Sequence, residues 1–202
     1  TQSRSSAASD VYKRQGLTET IRRIHPTILI GTSTDHDAFT QQVVEEMCRE
    51  VERPIIMPLS NPTEKIEAMP ADVIAWSKGK ALVSVGIPVA PFHYEGTRYE
   101  IGQGNNALLY PGLGLGVIVS GAERVSARMI RAAAEAVASQ VDPRPAGSSL
   151  LPAVENLRAS SATVAVAVVQ AAIEEGLATK KPSNVVQAVQ DAMWWPHYPP
   201  VG

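Results

Sequence analysis

The sequence has a single cysteine, Cys48, which excludes an internal disulfide framework. It also lacks a surplus of either charge: 18 Lys+Arg against 20 Asp+Glu leave a net charge of -2. Neutralising phosphates takes clustered Lys and Arg, so a nucleic-acid partner is not expected, and no acidic tail is present. The longest nearly unbroken apolar run, residues 107–119, contains Pro111 and three glycines. It falls short of the ~18 residues a membrane-spanning helix needs, so no membrane partner is expected. No charged-then-apolar secretory segment opens the chain, which makes the cytoplasm the expected location. There is no internal repeat. With 45% of 202 residues hydrophobic, the chain fits one soluble globular domain or a large piece of a bigger one.

Residues 1–15, TQSRSSAASDVYKRQ, are Ser-rich and show no apolar period. Asp10 to Gln15 is what the codons GAT GTG TAT AAG AGA CAG encode, a string resembling the mosaic-end adapter of transposon-based sequencing libraries. The tail is accordingly expected to be non-native, with the true protein truncated upstream of Gly16.

From Gly16 onward three apolar strands alternate with amphipathic helices. Leu17, Ile21 and Ile24 have helical spacing, closed by Pro26. Thr27 to Ile30 reads as a buried strand running into Gly31, Thr32 and Ser33. Phe39, Val43, Val44, Met47 and Val51 predict a helix whose other face carries Glu45, Glu46, Arg49 and Glu50. A second strand, Ile55 to Leu59, stops at the turn-forming Ser60, Asn61 and Pro62. A helix over about Ala71 to Ser77 leads into a third strand, Ala81 to Val85. Strands apolar on both faces imply a parallel sheet covered on two sides. Tyr94 to Tyr99 suggests a small hairpin. Further helices are predicted over about 106–121, 126–140, 154–175 and 183–192, with Pro143 and Pro145 in a connecting loop and residues 194–201 extended. The expected class is α/β: a partial doubly wound, Rossmann-like parallel sheet followed by a helical C-terminal region. The boundary is expected at 140/141, giving residues 16–140 and 141–202.

Three strand ends carry small or amide residues: Gly31-Thr32-Ser33, Ser60-Asn61-Pro62, and Gly86 with Pro88. In an open parallel sheet ligands sit outside the carboxyl ends of the strands, so these loops should line one cleft, although each also suits a plain turn. Gly102-Gln103-Gly104-Asn105-Asn106 precedes a helix. Its asparagines fit equally an N-cap and the neutral binding of a small dicarboxylate. The glycines Gly112, Gly114 and Gly116 imitate a dinucleotide fingerprint but have the wrong spacing and no preceding strand; close helix packing explains them better. The four histidines are dispersed, and Asp35-His36-Asp37 reads as a solvated loop. Cys48 reads as a packing residue.

Taken together, ILIGTS at Ile28 to Ser33, ERPIIMPLSNPT at Glu52 to Thr63, GKAL at Gly79 to Leu82 and IGQGNNALLYPGLGLGV at Ile101 to Val117 resemble the C-terminal half of malic enzyme, of the longer type. The resemblance implies oxidative decarboxylation of (S)-malate to pyruvate and CO2 with NAD or NADP and a divalent cation, Mg or Mn. It implies that Asn61, Asn105 and Asn106 hold the substrate. It further implies that Gly31, Thr32, Ser33 and Asn61 approach the nicotinamide nucleotide. Asn61 is thereby expected to converge with Asn105 and Asn106. The family's catalytic tyrosine and lysine, its acidic metal ligands and its pyrophosphate loop would all lie upstream of Gly16. No catalytic or metal residue is therefore assigned in this chain, which alone is expected to be inactive and to aggregate. The full-length protein is expected to be a homo-oligomer. One departure stands out: Ile87 occupies the place of a serine in the family's Gly-Ser-Pro-Phe string, removing a hydroxyl. Two other readings stay open, a catalytically silent binding module and a different 2-hydroxy-acid oxidoreductase on the same sheet.

Overall fold

A computed structural model describes residues 16–195; the tail at 1–15 and the expected extended end at 196–201 lie outside the described residues. The chain packs as two units, one ending at Gly104 and taking back Pro143–Leu150, the other formed by Asn105–Asp142 and the residues from Leu151 onward.

The first unit begins with α1 (Leu17–Ile24), β1 (Ile28–Gly31), α2 (Gln41–Glu50), β2 (Ile55–Pro58), α3 (Pro70–Trp76) and β3 (Leu82–Val85). The Thr40 hydroxyl caps α2 by accepting from the Val43 amide. Pro70 opens α3, where a missing N–H costs nothing. A hairpin follows, β4 (Phe92–Tyr94) and β5 (Thr97–Tyr99), turning on Glu95 and Gly96, both at positive φ. A fourth parallel strand, β6 (Gly102–Gln103), completes the sheet in the order β1-β2-β3-β6. The register pairs Ile28 with Ile55, Ile55 with Leu82 and Ser84 with Gly102. Residues 102–103 give no strand signal because two residues are too few to show a period.

Ile56, Val83 and Val85 pack in one core with Val43, Val44 and Met47 of α2 and Val73 and Ile74 of α3. The apolar strands suggest cover on both faces, and the two faces differ in how they are covered. Both crossovers advance in the same direction, and right-handed connections then place both helices on one face. On the other face Ile28 and Ile30 of the edge strand are 49% and 57% exposed, whereas Ser84 of β3, which the register puts on that same face, is fully buried.

The division of the chain by packing is a different cut from the boundary expected at 140/141. The proline loop does not merely connect: Arg53 donates to the carbonyls of Pro143 (2.9 Å) and Arg144 (3.0 Å), and the Glu100 amide donates to Gly147 O (2.8 Å). Pro143–Leu150 therefore belongs to the first unit.

The second unit holds α4 (Tyr110–Ser120), α5 (Ala127–Ala138), α6 (Leu157–Glu174) and α7 (Val185–Ala192). Single 3-10 turns at Asn106–Leu108 and Val154–Asn156 stand where α4 and α6 were expected to start. By length and composition the stretch Val154–Glu174 could cross a membrane. In this fold α4, α5 and α7 all pack on α6, whose Val164, Ala165, Val168, Val169 and Ala172 are fully buried. Gly112 and Gly116 are what let α4 approach so closely: a Cβ at Gly112 would lie 2.5 Å from Val164 Cβ, and one at Gly116 2.6 Å from Val168 Cβ. Gly114 faces open space.

Candidate functional site

Parallel pairing sets the carboxyl ends of β1, β2 and β3 side by side, so their exit loops share one edge of the sheet. Gly31-Thr32-Ser33 leaves β1, Ser60-Asn61-Pro62 follows β2 through a cis Asn61–Pro62 peptide, and Gly86-Ile87 leaves β3.

A residue that sequence reasoning missed ties the first two loops together. Glu67 is completely buried, and its two oxygens receive four donors. Oε1 accepts from the Ser33 amide (2.7 Å), the Ser33 hydroxyl (2.9 Å) and the Ser60 hydroxyl (2.5 Å); Oε2 accepts from the Ser60 amide (3.2 Å). The Ser60 hydroxyl in turn accepts from the Thr34 amide (3.0 Å), bridging the loops a second time. The Phe39 amide holds the Glu67 carbonyl from the other side (2.9 Å). Gly31 makes room for this: a Cβ there would lie 2.6 Å from Glu67 Cδ and 2.7 Å from Phe39 Cζ. In sequence Glu67 resembles the exposed Glu64 three residues earlier. The available signal was its setting, a lone charge inside the apolar string Ile66, Ala68, Met69.

Burial pushes the Glu67 carboxyl up. Hydrogen bonds from the Ser60 hydroxyl and from the Ser33 amide and hydroxyl outweigh it and hold the group below the ordinary glutamate range. A folded pKa below the unfolded one stabilises above the unfolded value and is lost as pH falls through the folded value. Urea midpoints measured from about pH 6 downward should therefore fall more steeply for the native chain than for a Glu67→Gln variant. Equal slopes would show that the carboxylate is not the group being protonated.

The clamp changes what each expected site residue has to offer. The hydroxyls of Ser33 and Ser60 each have one proton, and Glu67 takes both. Ser33 is thus an anchor of its loop and not a hydroxyl donor to a ligand. Thr32 and Asn61 are exposed, with no side-chain hydrogen bond among the described residues. Neither loop carries a charged side chain between residues 31 and 33 or between 60 and 62. Neutral hydroxyl and carboxamide groups at strand ends fit the amide and sugar of a nicotinamide nucleotide. Ile87, in the place of the family's serine, is 7% exposed and joins the hydrophobic core of this unit. An aliphatic side chain is accommodated there because it turns inward.

Gly104 closes the fourth strand by donating to Val85 O (2.7 Å), and Gln103 Nε2 donates to Gly86 O (3.1 Å). Asn105 and Asn106 open the second unit, both exposed. Asn105 is an N-cap, its Oδ1 accepting from the Ala107 amide (2.9 Å); that bond leaves its carboxamide N–H groups for other partners.

Elsewhere the chemistry is structural. His36 pairs with Asp37 at 3.4 Å on an exposed loop. Cys48 packs against the core, and burial pushes its thiol up, away from nucleophilic use. A groove of about 880 Å³ between α5 and α6 is lined by Arg128, Arg131, Glu135 and Glu174. Those charges pair with each other, Arg128 with Glu174 and Arg131 with Glu135, which leaves the groove no unsatisfied cation for a ligand. No three His, Cys, Asp or Glu residues among those described come together to hold a metal, so the residues present do not fit a divalent cation.

The chain is similar to known proteins over most of its length. It is 53% identical over 188 residues to a putative malate oxidoreductase [NAD] of Mycobacterium tuberculosis, covering 93% of this chain and 34% of that protein. It is 46% identical over 191 residues to a malolactic enzyme of Lactococcus lactis, covering 93% of this chain and 35% of that one. The crystal structure of malic enzyme from Pyrococcus horikoshii superposes with a TM-score of 0.68 at 26% identity, over 88% of this chain and 36% of that chain. The chain thus spans about a third of the length of the relatives it matches. A family model described as malic enzyme, NAD binding domain matches residues 2–173, a span that opens inside the stretch read as adapter-derived. With its parallel sheet and strand-end loops, the chain belongs to the malic enzyme NAD-binding domain family.

Proposed function

We propose that the longer protein of which this chain is part carries out the oxidative decarboxylation of (S)-malate to pyruvate and CO2 with NAD, as a cytoplasmic homo-oligomer. The observation that carries this reading is the pair of exposed neutral groups, Thr32 and Asn61, on adjacent parallel strand ends that Glu67 ties together. A nicotinamide ring, when bound, supplies the acceptor for the hydride that leaves C2 of the substrate. The Asn61 carboxamide, at the strand end, donates to the substrate or the ring amide without adding charge. Asn105 and Asn106 orient the substrate carboxylates. A divalent cation of the kind the resemblance implies would depend on residues outside this chain.

The test is turnover. The longer protein, obtained by extending the reading frame upstream, should convert (S)-malate to pyruvate with reduction of NAD in preference to NADP. The 202-residue chain by itself should show none. Lactate as product would align it instead with its malolactic relative. No turnover of malate beside turnover of another 2-hydroxy acid would reject the substrate assignment.

A further inference from the structure

We infer that Glu67 is the positioning residue of this site, the group that holds the Asn61 loop in register with the Thr32 loop during turnover; this rests on the function proposed above. The two loops leave neighbouring strands whose ladder ends with Leu59 N donating to Gly31 O (2.9 Å); beyond that point they are joined by Thr34 N to Ser60 Oγ, a bond whose hydroxyl Glu67 itself orients, and by Glu67. Ser33 and Asn61 are each one residue from, or at, a contact with the same carboxylate: Ser33 bonds it directly, and Ser60 bonds it immediately before Asn61. A shift of the Glu67 carboxylate therefore moves both loops. Glu67 is fully buried behind the loops and both its oxygens are engaged by them, so it acts on substrate only through its neighbours.

The geometry also dictates a carboxylate. All four contacts are donors, and a glutamine would turn its own N–H groups toward at least one of them, Ser60 N if its oxygen takes the place of Oε1. That donor-to-donor opposition opens the clamp on one side while leaving the side-chain volume intact. Misplacing a reacting group by about 1 Å costs on the order of a hundredfold in rate.

The experiment uses the longer protein with (S)-malate and NAD, its kcat normalised to titrated active sites so that unfolded molecules do not count. Glu67→Gln should lower kcat about a hundredfold with a smaller change in KM, and Ser60→Ala should lower it about tenfold. The double variant should be no slower than Glu67→Gln alone, because both act through one network. A kcat for Glu67→Gln within about threefold of the native value, or losses that multiply in the double variant, would overturn the inference while leaving the proposed function standing. Where Glu67→Gln fails to fold, Ser60→Ala decides, since it keeps the carboxylate and removes one hydroxyl; a native kcat there would overturn it equally. A native protein inert toward malate would sink the proposed function and this inference with it.

Discussion

Alanine at Gly112 or at Gly116 should each destabilise the second unit by about 1–3 kcal/mol, whereas alanine at Gly114 should stabilise it by up to about 1 kcal/mol. The three positions lie within five residues of one helix and share its intrinsic preference for alanine over glycine. Only their surroundings differ. A Cβ at Gly112 meets Val164 Cβ at 2.5 Å and the Ser161 carbonyl oxygen at 2.7 Å; at Gly116 it meets Val168 Cβ at 2.6 Å and the Ala165 carbonyl oxygen at 2.9 Å. Branch-point carbons and main-chain oxygens cannot swing aside as a flexible side-chain end would, so α4 must lift from α6. At Gly114 the methyl enters open space, and the reduced freedom of the unfolded chain is the main effect. The paired Gly112→Ala/Gly116→Ala variant should cost less than the sum of its parts, since lifting the helix for one methyl also makes room for the other. Urea unfolding in a Trp76→Phe background, where Trp194 and Trp195 report on the second unit, measures all four. Destabilisation at Gly114 comparable to that at its neighbours would show that the helix, not its contact, is what alanine disturbs.

The same glycines show how far the sequence could be read. Their spacing argued against a dinucleotide loop and for close packing, which is what α4 and α6 make of Gly112 and Gly116, while Gly114 faces open space. The parallel strands were legible because Ile28 to Ile30, Ile55 to Met57 and Leu82 to Val85 are short apolar runs between turn residues. The hairpin was legible from Glu95-Gly96, where glycine meets the demand of a positive φ. What escaped notice depends on contacts distant in sequence. Glu67 acquires its meaning from Ser33, 34 residues away, and composition shows only one more acidic residue. The attachment of Pro143–Leu150 to the first unit rests on Arg53, some 90 residues earlier, donating to two carbonyls that any sequence would supply. The exposure of one face of β1 follows from its place at the sheet edge, which no single strand encodes. The candidate site was therefore legible as loops and motif, while the clamp that gives two of those loops a common geometry was not.

Alanine at Gly86 should cost the first unit about 3 kcal/mol or more, at or above the upper end of the usual range for overpacking. Three bonds and contacts meet at this one residue. Its amide donates to Pro58 O at 3.2 Å, its carbonyl accepts from Gln103 Nε2 at 3.1 Å, and a Cβ would run into the carbonyl oxygen of Leu59. Leu59 cannot retreat easily, because its own amide is held by Gly31 O at 2.9 Å and the next residue, Ser60, is held by Glu67. The added methyl must therefore part β3 from β2 or displace the peptide leading into Asn61. Gly104 offers the matching control: a Cβ there crowds Leu59 Cδ2, at 2.9 Å, the far end of a side chain that can rotate, and meets Val85 O and Ser84 Oγ only at ordinary contact distances of 3.7 and 3.8 Å. Gly104→Ala should accordingly stay within about 1 kcal/mol of the native chain. With Trp76 in α3 as the reporter in a Trp194→Phe/Trp195→Phe background, urea unfolding should separate the two variants. Backbone amide shifts of Ser60 and Asn61 should move in Gly86→Ala and hold in Gly104→Ala. If Gly86→Ala unfolds with the native midpoint and leaves those shifts in place, the β2 and β3 exit loops are not in the contact described, and the geometry proposed for Asn61 loses its support.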